Sequence, residues 1–317
     1  MYVIGEINTS GKIQFEAQDQ STPVDLPLEV LLGSSPKVVL EGKATAITSV
    51  DCHATFQNET ELLSALHQVL SLEGVASKDW LTNKVDRSVS GKVALQQCTG
   101  PLHLPLNNLG VVALDFNGEK GIASALGHAP AIALLDPRAG SVVSIAESLT
   151  NIVWAPLEGG LSSVALSANW MWPAKRPGED ARLYHAVEAA SAFAIALGIA
   201  IPTGKDSLSM TMKYEDGLEV RAPGTVVISA VAPVSDVKKC VTPVLVLDET
   251  SALYYLDLSS QAGFPLGGSA LAQTQSVLGS SSPNVLDPNR FAQGFALIQQ
   301  LIAVSYTHLT LPTNREV

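Results

Sequence analysis

The chain has 317 residues, 46% hydrophobic but only 5% aromatic, with 19 basic and 30 acidic residues and a net charge of −11. At roughly 100–200 residues per domain it is long enough for two domains, and its alanine, valine and leucine content suits small-residue helices packed on β-branched strands, the α/β class. The acidic excess excludes a nonspecific nucleic-acid or anionic-membrane surface while leaving room for a local phosphate pocket.

Tyr2–Ile7 and Lys12–Ala17 read as two strands around the turn-rich Asn8-Thr9-Ser10-Gly11, so the chain is expected to open on a β-hairpin. Leu26–Leu32 reads as a short helix, and Leu62, Leu63, Leu66, Val69 and Leu70 give 61–72 helical spacing, a helix bridging two domains. After a loop over 91–105, Val111–Phe116 reads as a buried strand. Ala131–Leu135 is an apolar strand or the start of a helix, and Pro137 sets up the amphipathic helix Ser141–Trp154. The helix Leu183–Leu197 closes on Gly198, followed by a short apolar run, Ile199–Ile201, and a polar turn, PTGKDS, from Pro202. Strands are expected at Thr225–Val234 and Ala252–Leu258, a Gly267-Gly268 turn before the helix Ser269–Leu278, and a last helix over Arg290–Ala303.

The longest apolar run, Ala189–Ile201, stops at Pro202 after 13 residues, short of the ~20 a membrane helix needs. The N-terminal MYVIGEI has no basic region or cleavage pattern of an export signal. Cys52, Cys98 and Cys240 lack paired spacing, so neither a disulfide framework nor a zinc site is indicated and a cytoplasmic location is expected. Val304–Val317 breaks the preceding helical pattern, and its first ten residues resemble a translated sequencing-library adapter. The natural chain is therefore expected to continue past Ala303, with Met1 an internal methionine.

Three stretches carry candidate chemistry. Glu147 and Asn151, four apart, share a helix face; a carboxylate and an amide there suit magnesium beneath nucleotide phosphates, or form an exposed stripe. Lys205, Asp206 and Ser207 place a cation, a carboxylate and a hydroxyl together after Gly204, a phosphate-handling loop or an ordinary polar turn. The segment is not a P-loop, because Asp206 stands where that pattern needs serine or threonine. Asn107 and Asn108 precede the strand at Val111, a turn or a ligand contact. Ser167–Trp172 with Lys175 and Arg176 offers aromatic surface and two cations, and Glu179 and Asp180 favour the start of the next helix. The six histidines give no serine-histidine-aspartate grouping.

Taken together, DRSVSGKVALQQCTGPLHLPLNNLGVVAL (86–114), ALLDPRAGSVVSIAESLTNIV (133–153), LSANWMWPAKRPGEDARLYHAV (166–187), IPTGKDSLSM (201–210) and APGTVVISA (222–230) resemble, in order and spacing, the large form of phosphoribosylformylglycinamidine synthase. The likeness runs from about Tyr2 to Ala303. It implies an α/β (α+β) fold: an aminoimidazole ribonucleotide synthetase-like N-terminal domain over 86–235, flanked by the tail of a first C-terminal-type α/β domain (1–45) and the start of a second (236–303). A linker with a bridging helix (46–85) and an adapter-derived tail (304–317) complete the expected division.

The implied reaction is ATP-dependent conversion of formylglycinamide ribonucleotide and glutamine-derived ammonia to formylglycinamidine ribonucleotide in purine synthesis, with a glutaminase domain downstream in cis and no nucleic-acid or membrane partner. The resemblance assigns magnesium to Glu147, Asn151 and Asn108, with Asn107 beside the nucleotide, ATP or a structural ADP. Lys205, Asp206 and Ser207 are the expected phosphate-side contacts of that nucleotide. Asn108 stands where the family commonly has aspartate, which removes a charge from the metal set, and His128 replaces a usual acidic residue. No catalytic residue is expected in this chain, and none of the three cysteines is the glutaminase nucleophile, so the segment alone is expected to be inactive. The alternatives are a structural ADP-binding scaffold and another aminoimidazole ribonucleotide synthetase-like ATP-dependent enzyme.

Overall fold

The computed structural model describes residues 2–33, 39, 41–43, 45, 47, 49–85, 87, 91–245 and 252–304, so the expected tail past 304 lies outside them. The chain divides into two compact units, Met1–Glu41 and Gly42–Val317.

In the first unit, β1 (Lys12–Phe15) pairs antiparallel with β2 (Val24–Pro27), and α1 (Leu28–Leu32) follows directly. A hairpin is therefore present, but Tyr2–Ile7 forms no strand; the partner of β1 comes after it, across a loop in which Asp19 accepts from both the Ser21 N–H and hydroxyl.

The second unit opens with α2 (Glu59–Ser71), capped by Asn58, whose side chain accepts from Glu61 N at 2.9 Å while Glu61 Oε2 takes the Gln57 N–H. There follow α3 (Asp79–Thr82), β3 (Val93–Leu95), β4 (Leu109–Ala113), β5 (Gly121–Gly127), α4 (Pro130–Leu135), α5 (Pro137–Ile152), β6 (Ala165–Met171), α6 (Glu179–Leu197) and β7 (Ala200–Ser207). The small hairpin β8 (Thr211–Lys213) and β9 (Glu219–Arg221), then β10 (Thr225–Val234), α7 (Ala270–Thr274) and α8 (Pro288–Ala303) complete it.

Six strands form one mixed sheet in the order β3-β4-β5-β10-β6-β7. All pairs are antiparallel except β6 and β7, which α6 connects, as a parallel neighbour requires a crossover. Helices α5, α6 and α8 cover one face, and the core lies between them and the inward residues of β4, β5, β6 and β10. On the other face Val112, Ile122, Leu126 and Val231 are exposed.

Sequence periodicity located β10 to the residue, and α6 ends on Gly198 in the left-handed conformation, φ 68°. Four expectations are corrected. First, Pro202–Ser207 is not a turn but the body of β7; parallel pairing to β6 and a position at the sheet edge let a polar sequence continue as a strand. Second, Ala252–Leu258 contains no regular strand; Leu253, Tyr254 and Tyr255 are exposed, while Leu258 packs against the core. Third, the helix expected over Ser269–Leu278 ends at Thr274, where Gln275 to Gly279 turn back. Fourth, Trp172 is no surface aromatic: it is 1% exposed and its Nε1 donates to Glu179 Oε2 at 2.8 Å. Three strands of the large sheet went unread. In β5 the residues facing the helices are Gly121, Ala123, Ala125 and Gly127, an alternation of small side chains without the β-branched signature.

That smallness is a steric requirement. A Cβ on Gly127 would collide with the Ser144 carbonyl oxygen and lie 2.5 Å from Ser148 N, both backbone atoms of α5. Gly127→Ala should lower stability by about 1–3 kcal/mol, as overpacking a tight contact does; an unchanged urea midpoint would show that α5 does not seat there. Burial, reinforced by Asp236, pushes the Cys240 thiol up to about 12. Below about pH 8.5 the thiol keeps its proton whether folded or not. Between about 9 and 12 the unfolded chain releases it and the native state does not, so stability falls as pH rises. Cys240→Ala should flatten this alkaline decline, and identical pH slopes would count against a buried neutral thiol.

Candidate nucleotide and metal site

Helix α5 begins where Asp136 caps it, accepting from Arg138 N at 2.9 Å and Ala139 N at 3.3 Å, with Pro137 at the first helical position. Its inward face carries Ser144 and Ser148 beside larger residues, which lets the helix lie close to Gly127 of β5, while Gly140 lies against Ala133 of α4. The hydroxyls of Ser144 and Ser148 bond back to the carbonyls of Gly140 and Ile145, so their burial leaves no unpaired donor.

Near the end of this helix the two predicted metal ligands reach the terminal residues of β5. Glu147 is half-buried, and its Oε2 accepts the His128 backbone N–H at 2.6 Å. Asn151 is 3% exposed and donates Nδ2 to the Leu126 carbonyl at 2.9 Å, while its Oδ1 is buried without a hydrogen-bond partner. An unpartnered buried amide oxygen costs about 1–3 kcal/mol unless something else binds it.

The antiparallel register, Leu109 opposite Ala125, brings the start of β4 to the same end of the sheet. Asn107, 6% exposed, uses its side chain on backbone: Nδ2 donates to Gln96 O at 2.9 Å and Leu109 O at 2.8 Å. Its amide thus ties the strand before β4 to β4 itself. Asn108 is exposed beside it. Among the described residues no group of three His, Cys, Asp or Glu side chains is placed to hold a metal, so a cation here would have one carboxylate, Glu147, with amide oxygens around it. That donor set fits magnesium, which takes most of its ligands from phosphates and water, and does not fit a soft transition metal.

The lysine segment is elsewhere. Gly127, Ile228, Ala168 and Gly204 lie in one row across β5, β10, β6 and β7, and three strand spacings put Gly204 about 14 Å from Gly127. Lys205 then projects from the face opposite the helices, in register with Asn169, whose Oδ1 accepts from its Nζ at 3.4 Å; Ser207 Oγ lies 3.0 Å from the same nitrogen. Asp206, paired with Trp170, projects from the helix side. The structure therefore gathers Glu147, Asn151, Asn107 and Asn108 at one end of the sheet and does not bring Lys205, Asp206 and Ser207 to them.

Sequence reasoning missed the Leu126 carbonyl, the His128 N–H and Asn169. The first two follow only once β5 is seen as a strand. For Asn169 the alternation of Leu166, Ala168 and Trp170 with Ser167 and Asn169 was the available signal.

Residues 77–233 match the family model described as FGAR-AT PurM_N-like domain. Curated relatives include the human phosphoribosylformylglycinamidine synthase, 45% identical over 285 residues, covering 89% of this chain and 21% of the relative. The probable phosphoribosylformylglycinamidine synthase of Caenorhabditis elegans is 40% identical over 301 residues, covering 95% and 22%. A probable chloroplastic/mitochondrial phosphoribosylformylglycinamidine synthase of Arabidopsis thaliana is 40% identical over 316 residues, covering 96% and 22%. The chain thus spans about a fifth of the length of these relatives. Among solved structures, PurLQS from Thermotoga maritima aligns with a TM-score of 0.46 and 15% identity, covering 71% of this chain and 32% of that one. T. maritima PurL complexed with ATP aligns at 0.45 and 14%, covering 73% and 33%. On its sequence, the chain belongs with the phosphoribosylformylglycinamidine synthases as a segment of that larger protein, its residues 77–233 forming the FGAR-AT PurM_N-like domain.

Proposed function

We propose that this segment serves an ATP-dependent carbon–nitrogen ligase that converts formylglycinamide ribonucleotide and glutamine-derived ammonia to formylglycinamidine ribonucleotide in purine synthesis. Its part in that enzyme is to hold a nucleotide and magnesium, while a glutaminase domain lies downstream in cis. The names of relatives 40–45% identical over most of this chain support the reaction. The observation that carries the site is the buried, unpartnered Oδ1 of Asn151, one helical turn from the Glu147 carboxylate. Glu147, Asn151 and Asn108 would hold the magnesium, with Asn107 fixing the backbone beside the nucleotide. The ion would supply charge neutralisation for the phosphates.

What the chain's own groups do is orient and bind. Glu147 fixes the β5–α4 connection through the His128 N–H, and Asn151 fixes the end of β5 through the Leu126 carbonyl. These two ties favour a second reading of the same site, in which the nucleotide is a structural ADP that stiffens the domain rather than the ATP that is turned over. In either case the segment by itself is inactive. Among the described residues no helix is long and apolar enough to cross a membrane. Three free thiols suit the cytoplasm.

The test is thermal unfolding of the chain with ADP and magnesium, together with turnover by the full-length enzyme. MgADP should raise the melting temperature by mass action. Glu147→Gln, isosteric but uncharged, should weaken that binding about tenfold, a difference of about 1.4 kcal/mol. If the same substitution leaves full-length turnover intact, the nucleotide is structural; if turnover falls in parallel, it is the substrate ATP. An undiminished shift in Glu147→Gln would remove the ion from this site.

A further inference from the structure

On the magnesium–nucleotide reading of Glu147 and Asn151, on which this depends, we infer that Gln299 of α8 is a positioning residue for the site: its side-chain amide anchors the end of α5 and so fixes where Asn151 is held. Asn151 stands one residue before the end of α5, where a helix leaves its final carbonyls without intrahelical partners and frays. The usual stops are missing. Helix α6 ends on the left-handed Gly198, whereas α5 runs into Val153 in right-handed helical conformation, with no basic residue in its last turn. The chain just beyond, Val153, Trp154, Ala155 and Leu157, is buried as well, so its backbone groups need partners within the protein.

Gln299 supplies them. Its Nε2 donates to the Val153 carbonyl and, at 2.9 Å, to that of Ala155, while its Oε1 accepts the Leu157 N–H at 2.9 Å. One amide carries both the donors and the acceptor this stretch requires; a carboxylate cannot donate and an ammonium cannot accept. The rest of the exit is held by backbone, with Val241 N donating to Trp154 O and Ser235 N to Pro156 O. Gln299 is placed by its own helix, which Asp287 caps and which Phe291, Phe295, Ile298 and Ile302 seat in the core shared with Leu149 and Ile152 of α5. The matched domain covers residues 77–233. The support for Asn151 thus comes from outside that domain, and the ligand seat is complete only with α8 docked.

The experiment compares, for the intact chain, MgADP affinity by equilibrium dialysis, melting temperature, and amide hydrogen exchange at the His128 N–H that Glu147 holds. Gln299→Met keeps the shape of the side chain but makes none of its bonds. It should weaken MgADP binding about tenfold, as loss of the support behind a metal ligand does, and speed exchange at His128. Gln299→Lys, which still donates to the carbonyls, should recover most of the affinity, and Gln299→Glu, which sets a carboxylate against them, should lose the most. Packing alone would give the opposite order, with Met tolerated and Lys not, and that order would overturn the role. Phe295→Leu, which loosens the same helix and leaves the amide in place, should lower the melting temperature as far as Gln299→Met does and spare both other readouts. Unchanged affinity and exchange in Gln299→Met, or losses in every variant in proportion to melting temperature, would also overturn it. If the unsubstituted chain binds no MgADP, the nucleotide reading falls, and exchange at His128 alone decides whether Gln299 positions this end of the helix.

Discussion

Close approach of helix α5 to strand β5 is the contact on which the rest of the domain depends. It needs a strand whose inward residues are glycine and alanine, and a helix whose matching face carries the small residues Ser144 and Ser148. With Gly127 lying against the backbone of α5, the last turns of the helix are held over the end of β5. Only then can Glu147 reach the His128 N–H and Asn151 the Leu126 carbonyl. Larger side chains at the same places would bury more apolar area, yet they would lift the helix away from the strand and carry both polar groups out of reach. Packing here trades bulk for proximity.

That trade explains which parts of the molecule were legible in the sequence. Strand β10, with Val226, Ile228, Ala230, Ala232 and Val234 inward, carries enough β-branched character to be read to its ends, and Gly198 marks the end of α6 through a backbone conformation that favours glycine. Strand β5 alternates just as strictly, but its inward members are the smallest residues, so hydrophobic periodicity had nothing to register. Ala252–Leu258 fails in the opposite sense: its apolar residues look like a strand, but it pairs with no other strand among the described residues. Tertiary pairing, not local composition, decides such segments.

The same division holds for the candidate site. Glu147 and Asn151 were legible because helical geometry fixes what a separation of four residues means. Asn107 was visible only as a polar residue before a strand; its actual bonds, to Gln96 and Leu109 carbonyls, depend on a chain crossing that no local pattern encodes. Lys205 was visible as a cation in a polar turn, and its face and strand depended on how β7 aligns with β6.

That alignment contains one irregularity. Ala165 is opposite Ala200 while Ser167 is opposite Thr203, so β7 uses three steps where β6 uses two, around Pro202. Without the additional residue Lys205 would stand beside Trp170 under the helices and Asp206 would take the outer face beside Met171. The sign of the charge displayed at this margin is thus a matter of parity: a single inserted position converts an acidic edge into a basic one, with no change in which residues the segment contains.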